Sequence, residues 1–494
     1  MKKLFLMIVA FYMFSIQAQV PPGFESTLFS SNVHTNPIDL EFHPDENKMV
    51  IAERAGVFWL YNLVNDTWVK NDVPMLNISN QVTKWFERGV QSILLDSHYI
   101  YVYYTVEESY LFPELELPVG DNSATVNRVS RWEVAWSQNR TVFGEKIIVD
   151  GIPSLAGNHQ GGGMAFGLDG LGQLYISTGD AASDEVIRNQ AVDRGIIPQE
   201  HENFDGQYRS QIKSSPNGKI LRVLLWNGKG FHTNPYYNAN EPSSWMSRLY
   251  DYGYRNPFEI SFSDSLYVAD VGKSDKEEVT VAKPDANAGW GKYEGFDDNT
   301  WSSSVIDPDT GSPFEVNYTN KPILDYGHNG EPLTRLLGED NEPFIDGNAI
   351  EGNSITGGVV LKEGFGPYTG YYVFSDYTRG WLNMISPNRD FTLNFSPSDT
   401  FSNTIDITQA PDGSLYLVTL FGKIYRVHNT ETLSTEEFKI NDYLDSECTV
   451  FNILQQPIYS GKYRDVIRNK NQYLNQVLVI KFDNNFRLSQ IFTD

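Results

Sequence analysis

A histidine and an aspartate on either side of a glycine run are the residues of this chain whose types and spacing best suit chemistry. The segment GNHQGGGMAFGLDGLGQLYISTGD, residues 157–180, sets His159 before the glycines at 161–163 and ends a short predicted strand on Asp180. Two such residues can meet at one mouth of a β-structure, where a carboxylate orients an imidazole as a general base. A buried histidine beside a glycine-rich turn accounts for this segment equally well. Segments elsewhere bear on the choice, because they repeat the same layout.

The elements that must position these residues are almost all strands. A recurrent unit pairs an apolar strand, an Asp-containing turn and a second β-rich strand ending in small or acidic residues. It is read at 40–63, 90–106, 164–180, 258–272, 357–385 and 405–427. Such units predict an all-β fold, a six-bladed β-propeller whose closure leaves no exposed sheet edge. A sandwich is the structural alternative, although one sandwich rarely absorbs a chain this long. Polar insertions at roughly 107–128, 181–217 and 291–353 interrupt the spacing, and in a propeller such loops gather on a face and shape a cleft. The acidic run DPDTGSPFE, residues 307–315, has its glycine and final glutamate misplaced for a calcium loop and reads as a solvated turn.

Composition narrows the partners. The chain has 494 residues, 40% hydrophobic and 14% aromatic, with a formal net charge of −25. That charge opposes binding to nucleic acid or to an anionic membrane surface and favours cations and neutral ligands. Residues 1–18 carry two lysines, an apolar run over 4–16 and a small residue at Ala18, the pattern of a secretory signal peptide. The apolar run is short for a membrane span, so no transmembrane segment is expected, and the mature chain is expected to be secreted or held at the cell surface. One cysteine, Cys448, excludes an intrachain disulfide.

Several motifs then occur in a telling order: the His159 segment, YGYRNPFEISF (252–262), VADVGKSDKEEVTVAKPDANAGWGKYEG (268–295), NSITGGVVL (353–361) and APDGSLYLVT (410–419). Together they resemble the glucose/sorbosone dehydrogenase family of soluble sugar dehydrogenases that use pyrroloquinoline quinone (PQQ) and calcium, over about 21–427. The resemblance implies a six-bladed propeller with the quinone over its axis and a small-molecule sugar as substrate, an aldose oxidised to its lactone. His159 matches the family's base and Asp180 the acid held near it. Arg255 and Asn256 match the pair that contacts cofactor and substrate, and a guanidinium can stabilise negative charge on a reduced quinone oxygen. A salt bridge tying a blade corner is the alternative role for Arg255. Calcium ligands correspond to backbone carbonyls at Gly272 and Lys273, oxygen donors that suit a hard cation.

The chain departs from the family pattern where cationic partners for the quinone carboxylates are expected. Arg88 stands where the family has a glutamine, Thr378 with neighbouring Arg379 where a lysine is usual, and Asn403 and Ile405 where arginines are usual. Arg88 and Arg379 are candidate substitutes, since desolvated carboxylates need cationic partners. The depletion keeps two alternatives open: a non-catalytic secreted propeller that binds a glycan or protein, as Hedgehog-interacting relatives suggest, and a calcium-dependent lactonase-type hydrolase.

After residue 427 the character changes. A polar linker at 428–438 precedes a module at 439–494 of short alternating strands, read as a small β-sandwich. FNILQQ, QVLVIKFDNN and the final strand resemble the C-terminal sorting domain of the Bacteroidetes type IX secretion system. That likeness implies attachment to the cell surface through the export machinery, whereas an ordinary accessory β-domain is the other reading.

Overall fold

The computed structural model describes residues 20–44, 47–114, 123–167, 172–302, 304–328 and 330–430, and, in the C-terminal module, 447–451, 457–469, 472, 477–482 and 487–491. The signal-peptide segment and most of the linker lie outside the described residues. The chain divides into two compact units at 431/432.

The first unit is a six-bladed β-propeller of antiparallel sheets. The innermost strands of blades 1 to 6 are Pro37–Phe42, Val90–Leu95, Gly161–Phe166, Pro257–Phe262, Ile355–Val360 and Thr404–Gln409. The ring is closed by the N-terminal strand Phe24–Ser31, which pairs with Lys423–Asn429 as the outermost strand of blade 6. Closure through the chain's own first strand satisfies the last sheet edge.

Inner strands are packed on both faces by neighbouring blades, which is why Val90–Leu95 is buried along its whole length. An outer strand such as Val57–Val64 instead mixes buried and exposed positions. Between blades the apolar side chains form the core, for example Leu40, Ile51, Ile93, Val102 and Val418 in one cluster. Hydrogen bonds also stitch the inner strands across the junctions. The amide of Leu40 donates to Asp406 at 3.1 Å, that of Ile93 to Asp39 at 2.7 Å, and that of Ile355 to Glu277 at 2.9 Å. The hydroxyls of Ser92, Ser177 and Thr356 donate to the carbonyls of Gly162, Pro257 and Thr404 at 2.6, 2.7 and 2.7 Å.

The glycine run has a packing cause. A Cβ on Gly162 would lie 2.5 Å from Cβ of Gln91 in blade 2, and one on Gly163 would lie 2.7 Å from the Ile260 nitrogen in blade 4. Glycine therefore lets the inner strand of blade 3 approach both neighbours, and this carries His159, at its start, onto the axis.

The insertions support this arrangement from behind. Residues 181–217 add the helices Glu185–Asp193 and Gly206–Arg209 between strands of blade 3. The long insertion of blade 4 extends that sheet to six strands, with Leu324–Gly327, Thr334–Leu337 and Pro343–Ile345 on its outside. In the second unit the described residues form a four-stranded sheet, in the order Pro457–Lys462, Glu447–Phe451, Val477–Phe482, Arg487–Ile491, with the helix Tyr463–Arg468 following the first of these. Among the described residues no helix is long and apolar enough to cross a membrane.

Candidate active site

A cavity of about 500 Å³ opens at the end of the propeller where the inner strands begin. Its wall takes residues from every blade, among them Ile38, Gln91, His159, Asn256, Ile355 and Ile405. Second strands end at the same rim and contribute Arg54, Gly272, Lys273 and Tyr377.

His159 and Asp180, 21 positions apart, meet here. Nδ1 of His159 is 2.7 Å from Oδ1 of Asp180, with both residues buried. His159 occupies the left-handed backbone region, φ 56°. A non-glycine residue is strained there and stays only where its surroundings hold it. The holding bonds are Ala181 N to the His159 carbonyl at 3.2 Å and Asp180 N to the Arg255 carbonyl at 2.7 Å. The Asp180 carboxylate is fixed further by Trp290 Nε1 at 2.8 Å and the Ala182 amide at 3.0 Å. Burial by itself would raise the Asp180 carboxyl, but the charge and hydrogen bond of His159, then Arg255 and Arg209, outweigh it and hold the carboxyl below its usual range. Because an ionised carboxylate only accepts, the ring nitrogen facing Asp180, Nδ1, is the one that donates, and Nε2 is the nitrogen turned away from the carboxylate.

Arg255 and Asn256 also line the cavity, both placed by one carboxylate. Asp270 accepts the Arg255 amide at 2.9 Å and the Asn256 amide at 2.6 Å. Asn256 in turn accepts the Gly161 amide at 2.8 Å, tying blade 4 to the histidine's strand. Arg255 donates through Nη1 to the Val271 carbonyl at 2.8 Å, while its Nε is buried with no hydrogen-bond partner. A buried guanidinium N–H without an acceptor is costly, so the site as it stands suits an incoming oxygen.

Gly272 and Lys273 stand on the rim. Their turn wraps Glu294, whose Oε1 accepts the amides of Lys273, Ser274, Asp275 and Lys276 at 2.7, 2.8, 2.9 and 3.2 Å. Lys273 itself is exposed. Among the described residues no group of three or more His, Cys, Asp or Glu side chains has the arrangement of a metal site. A calcium ion here would depend on carbonyls such as those of Gly272 and Lys273.

The two arginines expected to substitute for missing cations lie elsewhere. Arg88 is buried at the start of blade 2 and donates to the carbonyls of Ser123 and Ser154, each at 2.8 Å, and to Ser154 Oγ at 3.0 Å. Its neighbour Glu87, in the turn that precedes the inner strand of blade 2, faces the cavity instead. Arg379 is ion-paired with Glu351 and does not line the cavity. The positive charge comes from a position the sequence motifs do not single out, Arg54, together with Arg255 and Lys273. Among the described residues Glu87 is the one carboxylate on the cavity wall, so a chain of net charge −25 turns a cationic face to this site. Trp290 was also missed as a functional residue, although the NAGWG motif contains it.

The model of the family described as Glucose / Sorbosone dehydrogenase matches residues 34–315, a span that holds Arg54, His159, Asp180, Arg255, Asn256, Lys273 and Trp290. The HIPL2 protein of Arabidopsis thaliana is 28% identical over 285 residues, 54% of this chain and 36% of that protein, so the chain spans little more than a third of that curated relative. Among solved structures, the apo soluble aldose sugar dehydrogenase of Escherichia coli has a TM-score of 0.56 at 17% identity, covering 82% of this chain and 99% of that one. The PQQ-bound aldose sugar dehydrogenase of Streptomyces coelicolor has a TM-score of 0.52 at 17% identity, covering 83% and 99%. These two likenesses are of fold, whereas the family match extends over more than half of the sequence: the chain belongs to the glucose/sorbosone dehydrogenase family.

Proposed function

We propose that this protein oxidises an aldose at its anomeric carbon to the lactone, with PQQ and calcium as cofactors. The observation that carries the reading is a histidine oriented by a buried carboxylate in a cavity whose other charged groups are mainly cations.

The cavity residues fit the quinone. Its carboxylates need cations, and Arg54, Arg255 and Lys273 offer three, with the orphaned Nε of Arg255 a donor in waiting. A hydride acceptor for the anomeric carbon is what PQQ supplies when bound. The protein's own part is to take the proton. Nε2 of His159 removes it from the anomeric hydroxyl, and Asp180 stabilises the imidazolium that results. Trp290 keeps the carboxylate in place through this change, and Arg255 opposes negative charge that develops in the cavity. Rim carbonyls at Gly272 and Lys273 are the groups that would hold calcium, which would supply a further fixed positive charge.

Titration of the calcium-loaded protein with PQQ, followed by the quinone's absorbance, tests the reading. Saturable binding, with dye reduction on addition of an aldose, is expected. Failure to bind at high micromolar quinone leaves a non-catalytic propeller as the better account. Export belongs to the same proposal, with 1–18 removed as a signal peptide and 439–494 acting as a type IX sorting module at the cell surface. N-terminal sequencing and intact mass of the extracellular protein check it, and retention of residues 1–18 there would overturn it.

A further inference from the structure

The carboxylate that orients His159 is backed by a charge that nothing in the cavity can reach. Arg209, the last residue of the helix Gly206–Arg209, has none of its surface exposed, and neither has Lys219 at the start of the strand Lys219–Leu224. Among the described residues Arg209 has carbonyls for partners and no carboxylate at ion-pair distance. Its Nη2 donates to the carbonyls of Asp180 at 2.9 Å and Ala181 at 2.7 Å, its Nε to that of Asp180 at 3.2 Å, and its Nη1 to that of Phe204 at 2.5 Å. Lys219 locks the helix end from which it projects, with Nζ donating to the carbonyls of Arg209, Ser210 and Asn217 at 3.0, 2.8 and 2.6 Å.

A guanidinium sealed from water without a counter-ion is unfavourable, and neutral donors would satisfy the same carbonyls without that penalty. The charge calls for a reason of its own. Burial pushes Arg209 down to about 10, which leaves it cationic at neutral pH, and the charge that most opposes the fall is that of Asp180. Against burial, which would raise it, Asp180 is held below its usual range by His159, then Arg255 and Arg209. Of these three groups Arg209 alone does not line the cavity, so its charge stays constant whether His159 is neutral or protonated and whatever Arg255 binds. The other charges around the pair are Glu87 in the cavity and Asp270 in blade 4, both acidic, while Arg188 and Asp205 act on Arg209 from its own insertion.

We propose that Arg209 is a positioning residue for the base: its fork pins the backbone at Asp180 and Ala181, and its buried charge is a fixed cation that Asp180 keeps throughout the reaction. Its bearing on turnover rests on the proposed sugar oxidation, whereas its hold on Asp180 does not.

The test reads the carboxylate directly. Cofactor-free protein labelled with carbon-13 at aspartate is titrated into acid by NMR, with the Asp180 signal assigned by its loss in Asp180→Asn. Arg209→Met is expected to raise the Asp180 midpoint by about one pH unit, the effect of one nearby charge, and Arg209→Lys, which keeps the charge but not the fork, to reverse most of that rise. With quinone, calcium and an aldose, Arg209→Met should lower kcat about tenfold and leave KM near that of the parent. A folded Arg209→Met protein with the parent midpoint, equal shifts in the two variants, or an unchanged kcat overturns the proposal. Should Arg209→Met not fold, the double variant His159→Ala with Arg255→Met leaves Arg209 as the main cation acting on Asp180. An Asp180 still ionised at neutral pH is then expected, and a protonated one overturns the assignment. If no aldose is oxidised the functional reading fails, and the titration decides the role of Arg209 by itself.

Discussion

The carboxylate of Asp180 holds two rings at once: Oδ1 lies 2.7 Å from Nδ1 of His159, and Oδ2 accepts the indole N–H of Trp290 at 2.8 Å. The histidine comes from the start of blade 3 and the tryptophan from the insertion of blade 4, so the base is oriented only when the two blades are in register. His159→Ala is expected to lower kcat by about two to four orders of magnitude, the usual worth of a general base, with little change in melting temperature. Asp180→Asn should lower kcat as well, because an amide that donates to Nδ1 selects the wrong tautomer. Steady-state turnover with a dye acceptor, paired with thermal melts, checks both.

Cation placement predicts quinone affinity. Arg255→Ala and Arg54→Ala should each weaken PQQ binding by roughly one to two decades, the value of a lost charge-assisted contact of about 1.5–3 kcal/mol. Arg379→Ala should leave affinity unchanged, since Arg379 pairs with Glu351 away from the cavity. Titration of the three variants distinguishes this assignment from one that places Arg379 on the cofactor.

Calcium should bind the native protein and not the unfolded chain, and so raise its melting temperature in proportion to occupancy. Melts with excess calcium and with a chelator are expected to separate by several degrees. Coincident midpoints would remove the metal from the proposal.

Stability should depend on pH in a direction set by buried acids. Burial pushes Asp39, Asp251 and Asp270 up to about 7, with backbone hydrogen bonds only partly opposing it. The folded state therefore binds more protons than the unfolded chain between about pH 4 and 7, and the slope of unfolding free energy with pH is negative there. Melting temperature should fall from about pH 5 to pH 8. Asp180 and Glu294, both held low, act oppositely and lose their contribution as pH drops below about 4. Asp39→Asn, which keeps an acceptor for the Ile93 amide, should flatten the fall above pH 5.

The propeller was legible because its signal is periodic. Six similar strand units specify six blades, and the glycines at 161–163 and the RNP motif mark where inner strands begin. Strand ends are where side chains converge on an axis, so His159 and Asp180 could be paired from their own segment, whereas Arg255 and Asn256 were named from the family resemblance of the RNP motif. The rest of the site depends on which way a side chain turns. Glu87 and Arg88 are adjacent, yet one lines the cavity and the other is buried against Ser123 and Ser154 of the same blade. Arg54 falls inside the repeat unit read at 40–63, but nothing in that unit singles it out, and it reaches the rim just past the end of the second strand of blade 1.

A final prediction concerns Gly206, in the short helix Gly206–Arg209 behind the catalytic pair. A Cβ there would lie 2.5 Å from Cγ and Oδ2 of Asp180 and 2.6 Å from its Oδ1. Those distances are far inside contact, and the movable partner is the carboxylate itself. Gly206→Ala should therefore push Asp180 away from His159 and Trp290. The backbone at Gly206 is helical, so alanine is otherwise favoured there and the helix loses nothing by the exchange. Turnover should fall at least tenfold, and the pH dependence of kcat should shift as the imidazole loses its carboxylate, while PQQ affinity stays near that of the parent because the cationic wall is untouched. Unaltered kcat in a Gly206→Ala protein of normal melting temperature would mean that Asp180 does not need this position to serve His159.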